Sequence, residues 1–397
     1  MVLLTAIALA LIAAPAGWDL SLRSEGQVGA SSSGKLNSGV ATDLELQPFT
    51  SLSASLDDLR FNASYAPRLS WGFPAQPGSA AGPEVFHSLS VGADWHLARL
   101  WNLGVHQGFS FGTRSFSLLA PNGADSLVLA PTRPPSEQSL KVQSLDDSFS
   151  LSGALDPRLR FSLSGSWLVS GGADATARAS LPLTRVAGTG AALNYLQDTH
   201  DSYSISLQAG TLVGRGTGGN GTANASLGWL HVFDKVTRVG LGVGAGYSKS
   251  AATPLPGVAP APPITRLTPS GSARFVTEFS RAHVGLSLVA NLAPVLDNVT
   301  GAAYAQLQGT AAASWSGSSL FQAALSAGAS QSLRAPTGQG VTVAQGDASI
   351  TCNLVRSEFA LQTGLRGGYV KEQIPSAAQG FQWLGYLSLR VAETGRF

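Results

Sequence analysis

Asp94 and His96 stand two residues apart, with His106 further along the chain. In an extended strand such neighbours share a face, so a carboxylate and an imidazole there can meet, which is the beginning of a general-base arrangement. No hydroxyl or thiol nucleophile and no orienting third group is set at a matching spacing, so the chain is not expected to be an enzyme. His87, His200, His231 and His283 are scattered without the spacing of a metal site, and neither a metal nor a cofactor is expected. The run Gly240 to Gly246 has glycine at every second position. It looks like a nucleotide-binding loop only superficially, because no helix follows. In a strand those glycines clear space or permit sharp curvature.

The arginines carry more information. Arg60, Arg68, Arg114, Arg158, Arg160, Arg274, Arg366 and Arg390 occupy the polar phase of alternating segments, with Arg23, Arg266 and Arg281. Carboxylates share that phase at Asp19, Glu25, Asp43, Glu45, Asp94, Glu278, Asp347 and Glu358, but they are fewer. Basic side chains lining an aqueous space raise the local concentration of anions. The expectation is a pore lined by Arg60, Arg68, Asp94, Arg114, Arg158, Arg160, Arg274, Arg366 and Arg390 that slightly favours anionic or neutral polar solutes. That preference weakens wherever an arginine pairs with a neighbouring carboxylate.

The elements presenting these residues have a period of two. Phe61, Ala63, Tyr65, Leu69, Trp71 and Phe73 alternate with Arg60, Asn62, Ser64, Arg68 and Ser70. Leu103, Val105, Phe109 and Phe111 oppose Asn102, His106, Ser110 and Arg114, and Leu159, Phe161, Leu163, Trp167 and Val169 oppose Arg158, Arg160, Ser162, Ser164 and Ser166. Similar segments recur to the end of the chain, with Trp, Tyr and Phe near their ends, where membrane-interface girdles lie. The stretch 181–200 has the weakest phase, blurred by Arg185 and a Gly-rich middle.

Composition fits strands rather than helices. Mean hydropathy is +0.14 and 12% of residues are charged, yet beyond the first residues no apolar run reaches the ~18 residues of a spanning helix. The 46 glycines and single Met suit small side chains facing a lumen. Cys352 has no partner for a disulfide and falls in the apolar phase, which makes it a small lipid-facing residue. A net charge of +2 is too mild to argue for nucleic acid. The start, 1–16, is an apolar run closed by Ala14-Pro15-Ala16, a small-x-small pattern that reads as a secretory signal peptide. The expected organisation is a signal peptide at 1–16 and one barrel at 17–397.

Phe381, Trp383, Gly385, Leu387, Leu389 and Val391 alternate with Gln382, Tyr386, Ser388, Arg390 and Ala392, and the chain stops on Phe397. This final strand resembles those of bacterial outer-membrane β-barrels. The resemblance implies the outer membrane of a Gram-negative bacterium, surrounding outer-membrane lipid, and an insertion signal at Phe397 read by the barrel-insertion machinery. Short turns at 57–58, near Arg99, and at 156–157, 197–201, 234–235, 280–281, 317–318 and 356–357 alternate with longer Gly/Pro/Ser-rich segments. Eight tight turns and nine longer loops predict an all-β, transmembrane, antiparallel up-and-down β-barrel of about 18 strands, with 16 as the alternative. A barrel of that size encloses an aqueous channel.

The longest loop, 121–139, joins the fifth and sixth strands, where the loop of trimeric general porins folds into the pore. On that resemblance Asp125, Arg133 and Glu137 border a constriction. In length and strand number the chain also resembles the barrels that myxobacteria pair with short polysaccharide export proteins. That likeness implies a periplasmic polysaccharide export protein as partner and a polysaccharide, rather than a small polar solute, as cargo. A surface structural or adhesive barrel with a closed lumen is the non-transport alternative.

Overall fold

Alternation of small or polar residues with apolar ones gives a sheet one wet face and one apolar face, and closing the sheet removes its edges. The computed structural model describes residues 19–35, 41–73, 83–115, 139–181, 183–214, 220–250, 264–280, 282–296, 303–333, 341–355, 358–372 and 380–396. The strands begin with β1 (Asp19–Lys35), β2 (Ala41–Leu56), β3 (Leu59–Tyr65), β4 (Arg68–Phe73), β5 (Glu84–Ala98), β6 (Trp101–Ser115) and β7 (Ser139–Ala154). They continue with β8 (Leu159–Gly172), β9 (Thr184–Leu196), β10 (Asp201–Gly214), β11 (Asn220–Val232), β12 (Arg238–Ser250) and β13 (Ile264–Phe279). The last are β14 (Val284–Leu296), β15 (Ala303–Trp315), β16 (Phe321–Leu333), β17 (Val341–Val355), β18 (Phe359–Glu372) and β19 (Gly380–Arg396). A short helix, α1 (Ala175–Ser180), follows β8.

Consecutive strands pair antiparallel, and β1 closes the ring on β19, from Ser21 opposite Arg396 to Lys35 opposite Gln382. β3 and β4 both lie between β2 and β5, so they are two halves of one stave broken at Ala66-Pro67. Pro48 of β2 sits opposite that break, where no ladder donor is needed. The nineteen segments therefore make eighteen staves, as the turn count predicts. The loop between β6 and β7 joins the fifth and sixth staves, also as expected; its residues, including Asp125, Arg133 and Glu137, lie outside the described residues, as do 1–18 and Phe397.

Four of the tight turns share one local device. Asp156, Asp198 and Asp234 each accept two backbone N–H groups through Oδ1, from Arg158 and Leu159, from His200 and Asp201, and from Val236 and Thr237. Ser318 Oγ does the same for Leu320 and Phe321. A short acceptor at the first turn position thus mimics a backbone turn. Backbone hydrogen bonds from His200 and Asp201, in that region, hold the Asp198 carboxyl below its ordinary value, with Asp201 the larger cause. Short turns mark the periplasmic rim.

The large apolar side chains point out. Leu207 is 57% exposed, and Val243, Leu325, Ile350 and Leu365 are likewise exposed on the outer face. An apolar surface this continuous is far larger than water-soluble chains carry, so it is a lipid-facing belt. Aromatics edge it. Near the periplasmic rim, Trp229 Nε1 donates to Asp201 Oδ1 at 2.8 Å while the ring of His231 stacks at 5.6 Å. Farther into the belt, Phe149 lies across Gly165, where an added Cβ would collide with the ring. Cys352 pairs with Phe321 and Leu361 in the outward phase, as expected.

Candidate functional site

The inner face from β2 to β11 is built of serine and glycine. Ser64 and Ser90 hydroxyls meet at 2.6 Å, and Ser206 and Ser226 at 2.6 Å. They border a trough of about 890 Å³ whose inward-facing lining includes Ser53, Asn62, Asp94, His106, Ser150 and Gln208. Side chains this short leave the lumen wide while covering its wall with donors and acceptors. The opposite wall is amide-rich, with Gln308 Nε2 donating to Gln306 Oε1 at 2.9 Å.

The charged lining divides into two groups. Arg68 Nε meets Glu45 at 2.7 Å, Arg366 Nε meets Asp347 at 3.0 Å, and Glu25 accepts from both Arg23 and Arg390 at 2.9 Å. All but Arg23–Glu25, which lies within β1, bridge neighbouring strands, and the opposite charges offset one another. Arg60, Arg160 and Arg274 are exposed on inward positions and make no ion pair among the described residues. Arg158 is also exposed and makes no ion pair among the described residues, but it belongs to the tight turn before β8 rather than to the wall. These four arginines lie toward the periplasmic rim. Arg114 stands opposite Leu140 in the β6–β7 register, and its side chain lies outside the described residues.

The imidazoles do not assemble into a catalytic set. His96 Nδ1 is engaged by the Asn102 side chain instead of Asp94. His106 lies 3.8 Å from Asp146 on the next strand. Asp94 pairs in register with Arg60 and Gly104. Among the described residues no group of three or more His, Cys, Asp or Glu could hold a metal.

The mouth opposite the tight turns is narrowed by the sheet itself. β13 pairs with β12 from Ile264 to Val276, yet with β14 only from Gly271 to Phe279. Above Leu292 the end of β14 leaves β13, remains paired with β15, and packs with it toward β11 and β12. Pro269 and Pro294 flank the parting, where the missing N–H removes a donor that would otherwise lack a partner. Gly246 on the inner face of β12 makes room, since a Cβ there would come within 2.7 Å of Pro294 Cδ. Gly244 likewise lets Ser270 Oγ reach across to donate to Asn224 Oδ1 at 2.7 Å. Tyr304, on the β15 side of this docked end, is 1% exposed and among the most buried side chains of the described residues.

A second element folds over the same rim. Asp174 caps α1 by accepting from Ala177 N at 2.8 Å. Ala177 lies against Gly172, whose missing side chain allows the approach. Arg178 Nε donates to Gly172 O at 3.0 Å and ties the helix to the end of β8.

β12's glycines stand out in the sequence, but what they accommodate does not; its signal is a proline inside each of two alternating segments. Gln107 and Asp147 are two polar residues in otherwise apolar phases, a signal that alternation alone hides.

Neither a protein-family model nor a curated protein matches the sequence. Solved structures do match. The FrpB iron transporter from Neisseria meningitidis shares 9% identity over 97% of this chain and 83% of its own, with a TM-score of 0.54. OccAB4 from Acinetobacter baumannii shares 8% identity over 95% and 98%, at 0.52. OccK2 of Pseudomonas aeruginosa, in complex with glucuronate, shares 11% over 96% and 98%, at 0.50. The chain has the fold of an outer-membrane barrel. Its even stave number and lipid-facing belt place it in that membrane.

Proposed function

We propose that this chain is an outer-membrane channel for small, hydroxyl-bearing polar solutes, neutral or mildly anionic. The observation that carries the reading is the wide serine- and glycine-walled interior, whose charged side chains are largely neutralised in pairs. Such a wall offers many weak, exchangeable hydrogen bonds, which let a solute enter and leave without being trapped. The unpaired arginines at the periplasmic rim supply the modest anion bias. That a protein of the same fold holds glucuronate, a hydroxyl-rich anion, agrees with the solute class.

The export reading, with a periplasmic polysaccharide export protein feeding a polymer into the barrel, draws support from the same small-residue wall. The docked β14–β15 end narrows the outer mouth and favours small solutes. Purified protein in planar bilayers should form stable ion channels, and liposomes carrying it should swell in neutral sugars and sugar acids. A closed lumen in both assays overturns the channel and leaves a structural barrel. Loss of one surface polysaccharide in a deletion strain, with small-solute uptake unchanged, overturns small-solute passage in favour of export.

A further inference from the structure

The outer wall holds one polar island. Gln107 Nε2 donates to Asp147 Oδ1 at 2.8 Å across β6 and β7, and both side chains point to the lipid. Register defines their surroundings. Val91 and Trp167 flank them in the same row, Leu89, Phe109, Leu145 and Val169 form the row toward the outside, and Ala93, Val105, Phe149 and Gly165 form the row toward the periplasm. The pair therefore sits inside the apolar belt, not at its polar margin. It opens onto a surface groove of about 740 Å³ that Thr189 also lines.

A carboxylate on the lipid face is destabilising, and hydrocarbon offers it no donor. One hydrogen bond from Gln107 leaves further acceptor sites on Asp147 and a second N–H on Gln107. Those leftover groups are complementary to each other. A two-fold axis along the membrane normal, passing between β6 and β7, would bring Gln107 of each copy against Asp147 of the other. Strands lie about 4.8 Å apart, so both residues would stand close to that axis. The contact would be isologous, with the same surface used twice.

We propose that this wall, centred on Gln107 and Asp147, is where a second copy of the chain docks to form a dimer. The paired amides and carboxylates satisfy one another at the centre, while Val105, Phe109 and Phe149 pack around them.

The test uses the folded full-length barrel in mild detergent and in bilayers, carrying Cys352→Ser so that no other thiol is present. The parent should have the mass of a dimer, and Asp147→Leu and Gln107→Leu should each shift it to monomer while unboiled samples still migrate as closed barrels. Val105→Cys, which leaves the Gln107–Asp147 pair intact, should cross-link copy to copy on mild oxidation, at least tenfold more than Leu325→Cys on the opposite wall. If the leucine variants do not fold, the cross-linking comparison decides. A monomeric parent, a dimer that survives Asp147→Leu, or cross-linking through Leu325→Cys and not through Val105→Cys would each overturn the proposal.

Discussion

Cutting back the inward-packed end of β14 and β15 tests whether the sheet narrows its own mouth. Eighteen staves about 4.8 Å apart, tilted about 40°, give a backbone radius of about 18 Å, and lining side chains leave a lumen of about 13 Å radius. A folded-in layer about 10 Å thick then covers about a third of that cross-section. Replacing residues 294–304 by a short Gly-Ser turn should raise single-channel conductance about 1.5-fold if the outer mouth limits flow. The fold should survive, because surface-loop length affects stability only weakly and β14 keeps its ladder to β13 below Leu292. Planar-bilayer recordings in symmetric salt read the change, with unboiled gel migration as the check on closure. Conductance equal to wild type, with the barrel closed, would refute the idea that this packing sets the limiting width.

The other predictions concern single features. Arg60→Glu with Arg160→Glu and Arg274→Glu should move the reversal potential in a salt gradient toward cation preference, and the shift should shrink at high salt; an unchanged potential would remove these residues from the conduction path. Asp234 is held below its ordinary 3.8 by the backbone N–H groups of Val236 and Thr237, so its contribution is present above that value and fades as pH falls through the lowered one. Asp234→Ala should therefore weaken the barrel against urea near neutral pH and lose that difference in acid. Deleting residues 122–138 should raise conductance and leave folding intact if that loop enters the pore, and leave conductance unaltered if it stays outside. The mature chain should begin at Gly17 in the outer-membrane fraction, which amino-terminal sequencing checks.

The barrel was legible because period two is a strong signal when it lasts. Phe381 to Val391 keep one phase along β19, and so do Leu159 to Val169 along β8. The turns at Asp156, Asp198, Asp234 and Ser318 were legible because Asp or Ser at the first turn position does a local job independent of tertiary context. Charge was read less well. The sequence places Arg68, Arg366 and Arg390 in the lumen phase but says nothing about cross-strand register, and register brings them to Glu45, Asp347 and Glu25. Arg158 illustrates the boundary error: alternation continues through Asp156 to Arg160, yet the turn claims Arg158.

The features that alternation does not reveal lie at its exceptions. Pro269 and Pro294 look like tolerable irregularities in a strand, and only the pairing shows that both stand where β13 and β14 part. The glycines of β12 then have a definite task, since Gly244 and Gly246 are the floor on which Ser270 and Pro294 rest. A proline that cannot join a ladder and a glycine that cannot obstruct one are each weak signs alone. Set on neighbouring staves, they encode a sheet that bends into its own lumen. Gln107 and Asp147 follow the same logic on the outer face: one polar residue in a lipid-facing phase is noise, but two in register, hydrogen-bonded to each other and enclosed by ten apolar or small neighbours, mark a surface built to meet something other than lipid.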